Sequence, residues 1–292
     1  MYTFLRSCVK SHPPFGEFLF WLKPGNDHFK RYAQFSRAQR IDERNIVFSF
    51  NNIHAERAES IEITVIISSF NYAEYIGETI ESVLKQECDH LELIVVDDNS
   101  SDNSAQIIAE SIAGADIPCK SLILDTNGGL SHARNLGLKY AKGTYVFILD
   151  SDNIITTGGL NSLFKVAQEN NATAAVGKIR VVDKHLKELG QYKSAGTPSF
   201  ADFKNKNQLD AMALYKKEHL LETKGFDVEM LLHGWGNEDW EKWAEIFSNP
   251  KNTVVFTDEV IGLYRSKPGS MVADAIRSHS NNASYIQRKY YT

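Results

Sequence analysis

From residue 61 onwards the sequence alternates short apolar runs with stretches whose apolar residues recur at helical spacing. The runs at residues 61–67, 91–96, 121–124 and 145–149 are rich in Ile, Val and Leu. Continuous apolar strands separated by helices are typical of a parallel sheet that is covered on both faces. The alternation therefore predicts an α/β fold with a mostly parallel central sheet flanked by helices.

Polar side chains follow three of these four runs at the point where the run ends. The polar segments are residues 68–71, 97–100 and 150–152. In open parallel sheets the ligand binds beyond the carboxyl ends of the strands. We therefore expect a polar binding site at this edge of the sheet.

Composition narrows the function classes. The chain has 292 residues, with 32 Lys and Arg against 37 Asp and Glu, which gives a net charge of -5. This balance argues against a general nucleic-acid binder. No apolar run is long enough to span a membrane, and no signal peptide is evident. The three cysteines form no C-x-x-C pair, which favours a reducing compartment. We expect a cytoplasmic protein.

Two carboxylates stand close together in Asp150-Ser151-Asp152. Their oxygens are ligands of the kind that Mg²⁺ or Mn²⁺ takes together with substrate phosphates. Taken alone, an Asp in such a loop is more often a cap or turn residue.

A second motif opens the helix after the third apolar run, with Asn127, Gly129, Arg134 and Gly137 at fixed offsets. The glycines allow a close backbone approach, and Arg134 offers a planar charged fork for phosphate oxygens. An ordinary strand-to-helix turn with a surface Arg would have the same pattern. The Asp98 carboxylate, in the preceding motif, could accept the imide N–H of a uracil or thymine ring, or serve only in a turn.

Together these motifs resemble family 2 glycosyltransferases, which have the GT-A nucleotide-diphospho-sugar transferase fold. The resemblance lies in the order and spacing of residues 63–71, 95–100, 127–137 and 150–152. The segment GWGNEDWE at residues 234–241 is also similar to the W-G-x-E-D segment of inverting galactosyltransferases and chondroitin-type polymerases.

The resemblance implies a role for each motif residue. Asp239 would be the catalytic base, and Glu238 would hold the acceptor hydroxyl. Asp152 would ligate Mn²⁺ or Mg²⁺, with Asp150 beside it facing the ribose. The acceptor sugar would lie against Trp235 and Gly236. The nucleotide-sugar site would comprise Ser68, Phe70, Asn71, Asp98, Asn127, Gly129, Arg134, Asp150 and Ser151.

One departure from the family pattern concerns the C-terminal part of the site. Relatives often have a histidine in a Y-R-x-H-x-G-S stretch, whereas Lys267 stands at that position here. Either Lys267 neutralises phosphate directly or His279 supplies a third metal ligand, although a lone His is more often a surface residue.

The implied activity is inverting, metal-dependent transfer from a UDP-sugar, or a less favoured dTDP-sugar, to a hydroxyl of a glycan or glycolipid acceptor in surface polysaccharide synthesis. Two alternatives are a sugar-phosphate nucleotidyltransferase and a catalytically silent sugar-nucleotide-binding scaffold protein. The first would normally have a Gly-rich loop after the first strand, and residues 68–72 contain no Gly.

Residues 1–60 differ from the rest and are expected to form a helical or irregular extension. Residues 61–292 would form the glycosyltransferase domain, with a nucleotide-binding half at 61–155 and an acceptor-binding half at 156–292. The extension holds nine Lys and Arg against six Asp and Glu, interleaved with aromatic residues. It could pack on the domain or make a peripheral contact with an anionic membrane surface.

Overall fold

The computed structural model describes residues 42–52, 60–230, 237–267 and 279–291. Within these ranges the strands are β1 (Ile46–Asn51), β2 (Ile63–Ser69), β3 (Leu91–Asp97), β4 (Cys119–Leu124), β5 (Tyr145–Asp150), β6 (Ile154–Ile155), β7 (Ala174–Val182), β8 (Glu188–Lys193), β9 (Leu214–Lys216) and β10 (Val254–Arg265). These ten strands lie in one sheet, in the order β1-β4-β3-β2-β5-β9-β7-β10-β6, and β8 pairs with β7.

The four strands predicted from the sequence, β2 to β5, form the parallel part of the sheet. β2 lies between β3 and β5, and β4 continues the sheet beyond β3. Every residue of β2 and β3 is buried, as expected for strands covered on both faces. Their parallel direction brings their carboxyl ends to one edge of the sheet.

Helices cover both faces and enclose two apolar clusters. One cluster includes residues of α1 (Ile76–Leu84), α2 (Ser104–Ala113) and α4 (Gly159–Glu169). The other includes residues of α3 (Leu130–Tyr140), α6 (Glu238–Ser248) and α7 (His279–Tyr290). The short helix α5 (Lys217–Glu222) follows β9. The helix α6 carries the predicted catalytic residues and buries Trp240 and Trp243 against the sheet.

The second half of the sheet is mixed rather than parallel. β10 runs parallel to β7, whereas β8 and β9 run antiparallel to it. β9 is also antiparallel to β5, and so it joins the two halves of the sheet. The prediction of a mostly parallel sheet therefore describes β2 to β5, whereas β1, β6, β8 and β9 add antiparallel pairs to the sheet.

β1 was not predicted from the sequence, and it lies within the segment expected to be a helical or irregular extension. It pairs antiparallel with β4 at the edge of the sheet. Val47 and Phe48 are exposed on it. Residues 1–41 and 53–59 lie outside the described residues, so the rest of that expectation stays a prediction. Within the described part of the chain, no helix has the length and apolarity needed to cross a membrane.

Candidate active site

The polar ends of β2, β3 and β5 meet at one edge of the sheet, as the sequence predicted. Ser68 at the end of β2 is in register with Asp150 at the end of β5. The Asp98 backbone N–H donates to the Ser69 carbonyl at 2.8 Å, which joins the ends of β2 and β3. The candidate nucleotide residues therefore share one rim.

Asp98 organises the loop that precedes α3. Its two carboxylate oxygens accept hydrogen bonds from the backbone N–H groups of Gly128 and Gly129, at 2.8 and 2.7 Å. The Asn127 side chain donates to the Asp98 carbonyl at 3.0 Å. Burial raises the pKa of Asp98 to about 7, although the two amide donors favour the ionised form. Gly129 has a φ of 90°, which an L side chain rarely adopts.

Asn71 holds the neighbouring loop in place. Its side-chain oxygen accepts from the Ser101 N–H at 2.7 Å, and its own N–H donates to the Ser100 hydroxyl at 2.8 Å. Phe70 is exposed beside it, with an accessible ring that a flat base could stack on. The buried Ser68 hydroxyl has no hydrogen-bond partner among the described residues. The base contacts implied for these residues stay predictions.

Arg134 lies at the centre of the site and is 1% exposed. Its Nη2 donates to Asp150 Oδ1 at 2.7 Å, and its Nη1 donates to Glu238 Oε1 at 2.5 Å. The guanidinium carbon is 5.1 Å from the centre of the Phe226 ring. Burial by itself would lower the pKa of Arg134, but the Glu238 and Asp150 charges raise it above its usual value. Arg134 therefore connects the end of β5 with the first turn of α6.

We expect Arg134→Met to be strongly destabilising, because two carboxylates would lose the cation that compensates them. Removing one member of a buried ion pair typically costs about 3–5 kcal/mol of unfolding free energy. Urea denaturation would measure the loss. Lys85→Met is the control: its pair with Glu81 is exposed, and such pairs contribute at most about 0.5 kcal/mol. Equal effects of the two substitutions would contradict the central role of Arg134.

The two carboxylates of the Asp150–Asp152 loop repel each other and lie near cations. Burial and the charge of Asp150 raise the pKa of Asp152, while Lys267 lowers it. Lys267 Nζ is 3.2 Å from Asp152 Oδ2. Ser151 is buried, and its carbonyl accepts from the Thr79 hydroxyl at 3.0 Å. Thr79 thereby fixes the loop to α1.

This loop offers the oxygen ligands that a divalent cation takes together with phosphates. Asp150 and Asp152 therefore fit Mg²⁺ or Mn²⁺ as two of its ligands. The described residues contain no group of three or more His, Cys, Asp and Glu side chains that could hold a metal ion. The exposed His279 ring stacks on Trp240, with centroids 5.2 Å apart. Its predicted role as a metal ligand is untested.

Asp239 lies in the first turn of α6, which begins after Asn237 in a left-handed conformation. The Asp239 carboxylate accepts from the Asn207 side chain at 2.9 Å and from the Trp240 N–H at 2.8 Å. Burial, and then the charges of Glu238 and Asp210, raise the pKa of Asp239 well above its usual range. The helix N-terminus favours the ionised form, but here burial outweighs it.

Several residues of this region were not identified from the sequence. Lys193 Nζ pairs with Asp210 at 2.9 Å and is 3.5 Å from the centre of the Tyr264 ring. The pKa of Tyr264 is raised to about 12, mainly by burial, and Asp150 and Asp152 add to the shift. Lys193 is the last residue of β8, and Asn207 and Asp210 lie in the segment before β9. None of the three belongs to a periodic apolar pattern, so no sequence signal pointed to them. Trp235 and Gly236, predicted to bind the acceptor, lie outside the described residues.

Comparison with family models provides the assignment of the chain. The model "Glycosyl transferase family 2" matches residues 64–222, which is more than half of the chain. The chain belongs to this family. The match includes the motifs at the ends of β2, β3 and β5 and the start of α3. It ends before residues 234–241, so the likeness of that segment to the W-G-x-E-D enzymes stays a prediction.

Two curated glycosyltransferases are similar to this chain over 72% and 61% of their own length. Glycosyltransferase GlyG of Streptococcus pneumoniae serotype 4 is 27% identical over 231 residues, which cover 72% of each protein. Poly(ribitol-phosphate) beta-N-acetylglucosaminyltransferase TarP of Staphylococcus aureus strain N315 is 30% identical over 203 residues. That match covers 68% of this chain and 61% of TarP, so the chain spans less than two thirds of the staphylococcal enzyme.

Solved structures confirm the fold class. S. aureus TarS 1-349 in complex with UDP-GlcNAc has a TM-score of 0.56 and 20% identity, over 73% of this chain and 61% of that one. Mannosyltransferase PcManGT from Pyrobaculum calidifontis, in complex with GDP-Man and Mn2+, has a TM-score of 0.58 and 19% identity, over 90% and 73%. At these identities the likeness establishes a GT-A fold and nothing finer.

Proposed function

We propose that the chain is an inverting, metal-dependent glycosyltransferase that moves a sugar from a UDP-sugar to a hydroxyl of a glycan acceptor. The observation that carries this proposal is the Arg134 bridge between Asp150 and Glu238. It supports a shared site because it joins the Asp150–Asp152 loop to the first turn of the helix that bears Asp239. The family assignment favours this activity over the nucleotidyltransferase alternative.

The donor proposal rests on the loop at the end of β3. The Asp98 carboxylate retains lone pairs after it accepts from Gly128 and Gly129, so it can also accept a pyrimidine imide N–H. TarS, which has the same fold, has been solved in complex with UDP-GlcNAc. A dTDP-sugar presents the same imide group and is the less favoured option.

The chemistry requires that the acceptor hydroxyl lose its proton as it attacks the anomeric carbon. We propose that Asp239 accepts this proton as the general base, with its carboxylate oriented by the hydrogen bond from Asn207. Arg134 holds the neighbouring Glu238 side chain in place. Attack from the face opposite the departing diphosphate gives inversion. A divalent cation bound by Asp152 and Asp150 would offset the charge that develops on that diphosphate.

The proposed acceptor is a sugar hydroxyl of a growing surface polysaccharide or glycolipid. The name of the relative TarP includes poly(ribitol-phosphate), a polymer. The peripheral membrane contact suggested for residues 1–60 concerns mainly residues outside the described part of the chain, and it stays a prediction.

Incubation with a panel of UDP-, dTDP- and GDP-sugars in Mn²⁺, with and without candidate glycans, tests the proposal through nucleoside diphosphate release. We expect release from a UDP-sugar that increases when an acceptor is present. If only a dTDP-sugar or only a GDP-sugar releases its nucleoside diphosphate, that nucleotide sugar is the donor and the UDP-sugar proposal is wrong. Binding of nucleotide without release from any donor would instead support the scaffold alternative.

The contact between Asn207 and Asp239 predicts a shift in the pH profile of transfer. Asp239 must be ionised to accept a proton, and its raised pKa means that the rate should rise with pH in the neutral to alkaline range. Asn207→Leu removes a donor to the ionised form, so the pKa should rise further and the acid limb should move to higher pH. Rates measured between about pH 6 and pH 9 would show this. Gln208→Leu is the control, since Gln208 donates to the Asp202 carbonyl instead of to Asp239. If Asn207→Leu gives the same pH profile as the wild-type chain, the assignment of Asp239 as the base is contradicted.

A further inference from the structure

Lys267 follows the end of β10 and reaches the Asp150–Asp152 loop. Its ammonium is 3.2 Å from Asp152 Oδ2, and it is 3.9 and 4.1 Å from the ring centres of Tyr72 and Tyr75. The side chains of Lys267 and Asp152 are only 14% and 13% exposed. A long, flexible side chain is thus held in one place by a carboxylate and two aromatic faces.

Arg265 fixes the backbone that carries Lys267. Its N–H donates to Asn153 Oδ1 at 3.0 Å, and its Nε donates to the Asp152 carbonyl at 2.8 Å. Its Nη2 pairs with Glu78 at 2.5 Å. These contacts join the end of β10 to the loop after β5 and to α1. The position of Lys267 beside the carboxylates is therefore part of the fold.

We propose that Lys267 is a binding residue for the diphosphate of the nucleotide donor. This inference rests on the proposed function. An ammonium group carries three donors, and the contact with Asp152 occupies one of them, so others can reach phosphate oxygens. The group also lies next to the carboxylates proposed to bind the metal, which is where a diphosphate must come.

A protonated lysine has no lone pair on its nitrogen and cannot ligate a metal. In this chain the position therefore supplies charge directly to the phosphates. Without nucleotide, Lys267 competes with a divalent cation for Asp152. Two effects of opposite sign follow: loss of Lys267 weakens diphosphate binding and strengthens binding of the metal alone.

Calorimetry on the full chain with Lys267→Met tests this, because Met keeps a long side chain against the two tyrosines. The probes are UDP, inorganic pyrophosphate and uridine, each in EDTA and in Mn²⁺. We expect UDP and pyrophosphate affinity in EDTA to fall by about tenfold or more, the size of one charge-assisted hydrogen bond. Uridine affinity should not change, and Mn²⁺ alone should bind more tightly than it binds to the wild-type chain.

Two further variants serve as controls. Lys267→Arg keeps the charge and should retain most of the pyrophosphate affinity. Lys165→Met replaces an exposed lysine of α4 and should change nothing. An equal loss of uridine and UDP affinity in Lys267→Met would overturn the proposal in favour of a structural role, and so would unchanged pyrophosphate affinity.

The same measurements distinguish an error in the proposed UDP-sugar donor from an error in the role of Lys267. If the wild-type chain binds pyrophosphate through Lys267 but does not prefer UDP to other nucleoside diphosphates, the diphosphate assignment stands and the UDP-sugar proposal falls. If the wild-type chain binds neither UDP nor pyrophosphate, both fall.

Discussion

Asp239→Asn is expected to reduce sugar transfer by at least about 10²-fold, because a positioned base typically contributes about 10²–10⁴-fold to the rate. UDP and Mn²⁺ affinity should be nearly unchanged, because the described hydrogen bonds of the Asp239 carboxylate are with Asn207 and Trp240 and not with the Asp150–Asp152 loop. Initial rates at saturating donor, together with calorimetry for UDP, would measure both quantities.

The stability of this variant separates a catalytic role from a structural one. The folded-state pKa of Asp239 is raised, so the stability of the fold decreases as the pH rises from the unfolded pKa to the folded one, where the carboxyl ionises in the unfolded chain but stays protonated in the fold. Asn carries no charge, and it can still accept the hydrogen bond from Asn207. The midpoint of thermal unfolding should therefore not decrease in mildly alkaline buffer, although activity is lost.

Glu238→Gln is the matched control for the choice between the two acidic neighbours. One carboxylate oxygen of Glu238 accepts a hydrogen bond from Arg134. The uncharged amide of Gln should therefore weaken this buried pair and lower the stability of the fold. We expect this variant to retain more transfer activity than Asp239→Asn. If Asp239→Asn works at near wild-type rate while Glu238→Gln is inactive and still folded, the base is Glu238.

Asp152→Ala is expected to abolish Mn²⁺-dependent UDP binding and to reduce transfer to background. The diphosphate would lose the carboxylate proposed to hold its cation, and loss of such charge stabilisation costs at least about 10²-fold in rate. Calorimetry of UDP with and without Mn²⁺ would separate binding from chemistry.

Asp258→Ala is the control for Asp152→Ala, because Asp258 is an exposed residue whose pair with Lys178 lies in solvent. It should leave Mn²⁺-dependent binding unchanged. Transfer by the wild-type chain at its full rate in excess EDTA would contradict the metal proposal. It would leave Lys267 as the cation next to the diphosphate.

The sequence determined the parallel half of the sheet and the rim of the candidate donor site. Strands buried on both faces must be continuously apolar, so β2, β3 and β5 are visible as runs, and their polar ends meet because parallel neighbours end at one edge. The strand Ile46–Asn51 contains apolar residues too, but it lies before the strand–helix alternation begins at residue 61, so the pattern that predicted the other strands does not include it.

The contacts that connect the donor rim to Asp239 were decided only by the tertiary structure. Arg134 pairs with Glu238 across 104 positions, and Asn207 reaches Asp239 from an aperiodic loop. The family resemblance implied that Arg134 borders the diphosphate, which stays a prediction, and only the structure shows that its guanidinium is buried between two carboxylates. Local sequence encodes which residues are polar and where strands end. Contacts between residues that are distant in sequence depend on how β9, β7 and β10 place α6 over the sheet. That packing produces no periodic pattern in the sequence from which it could be predicted.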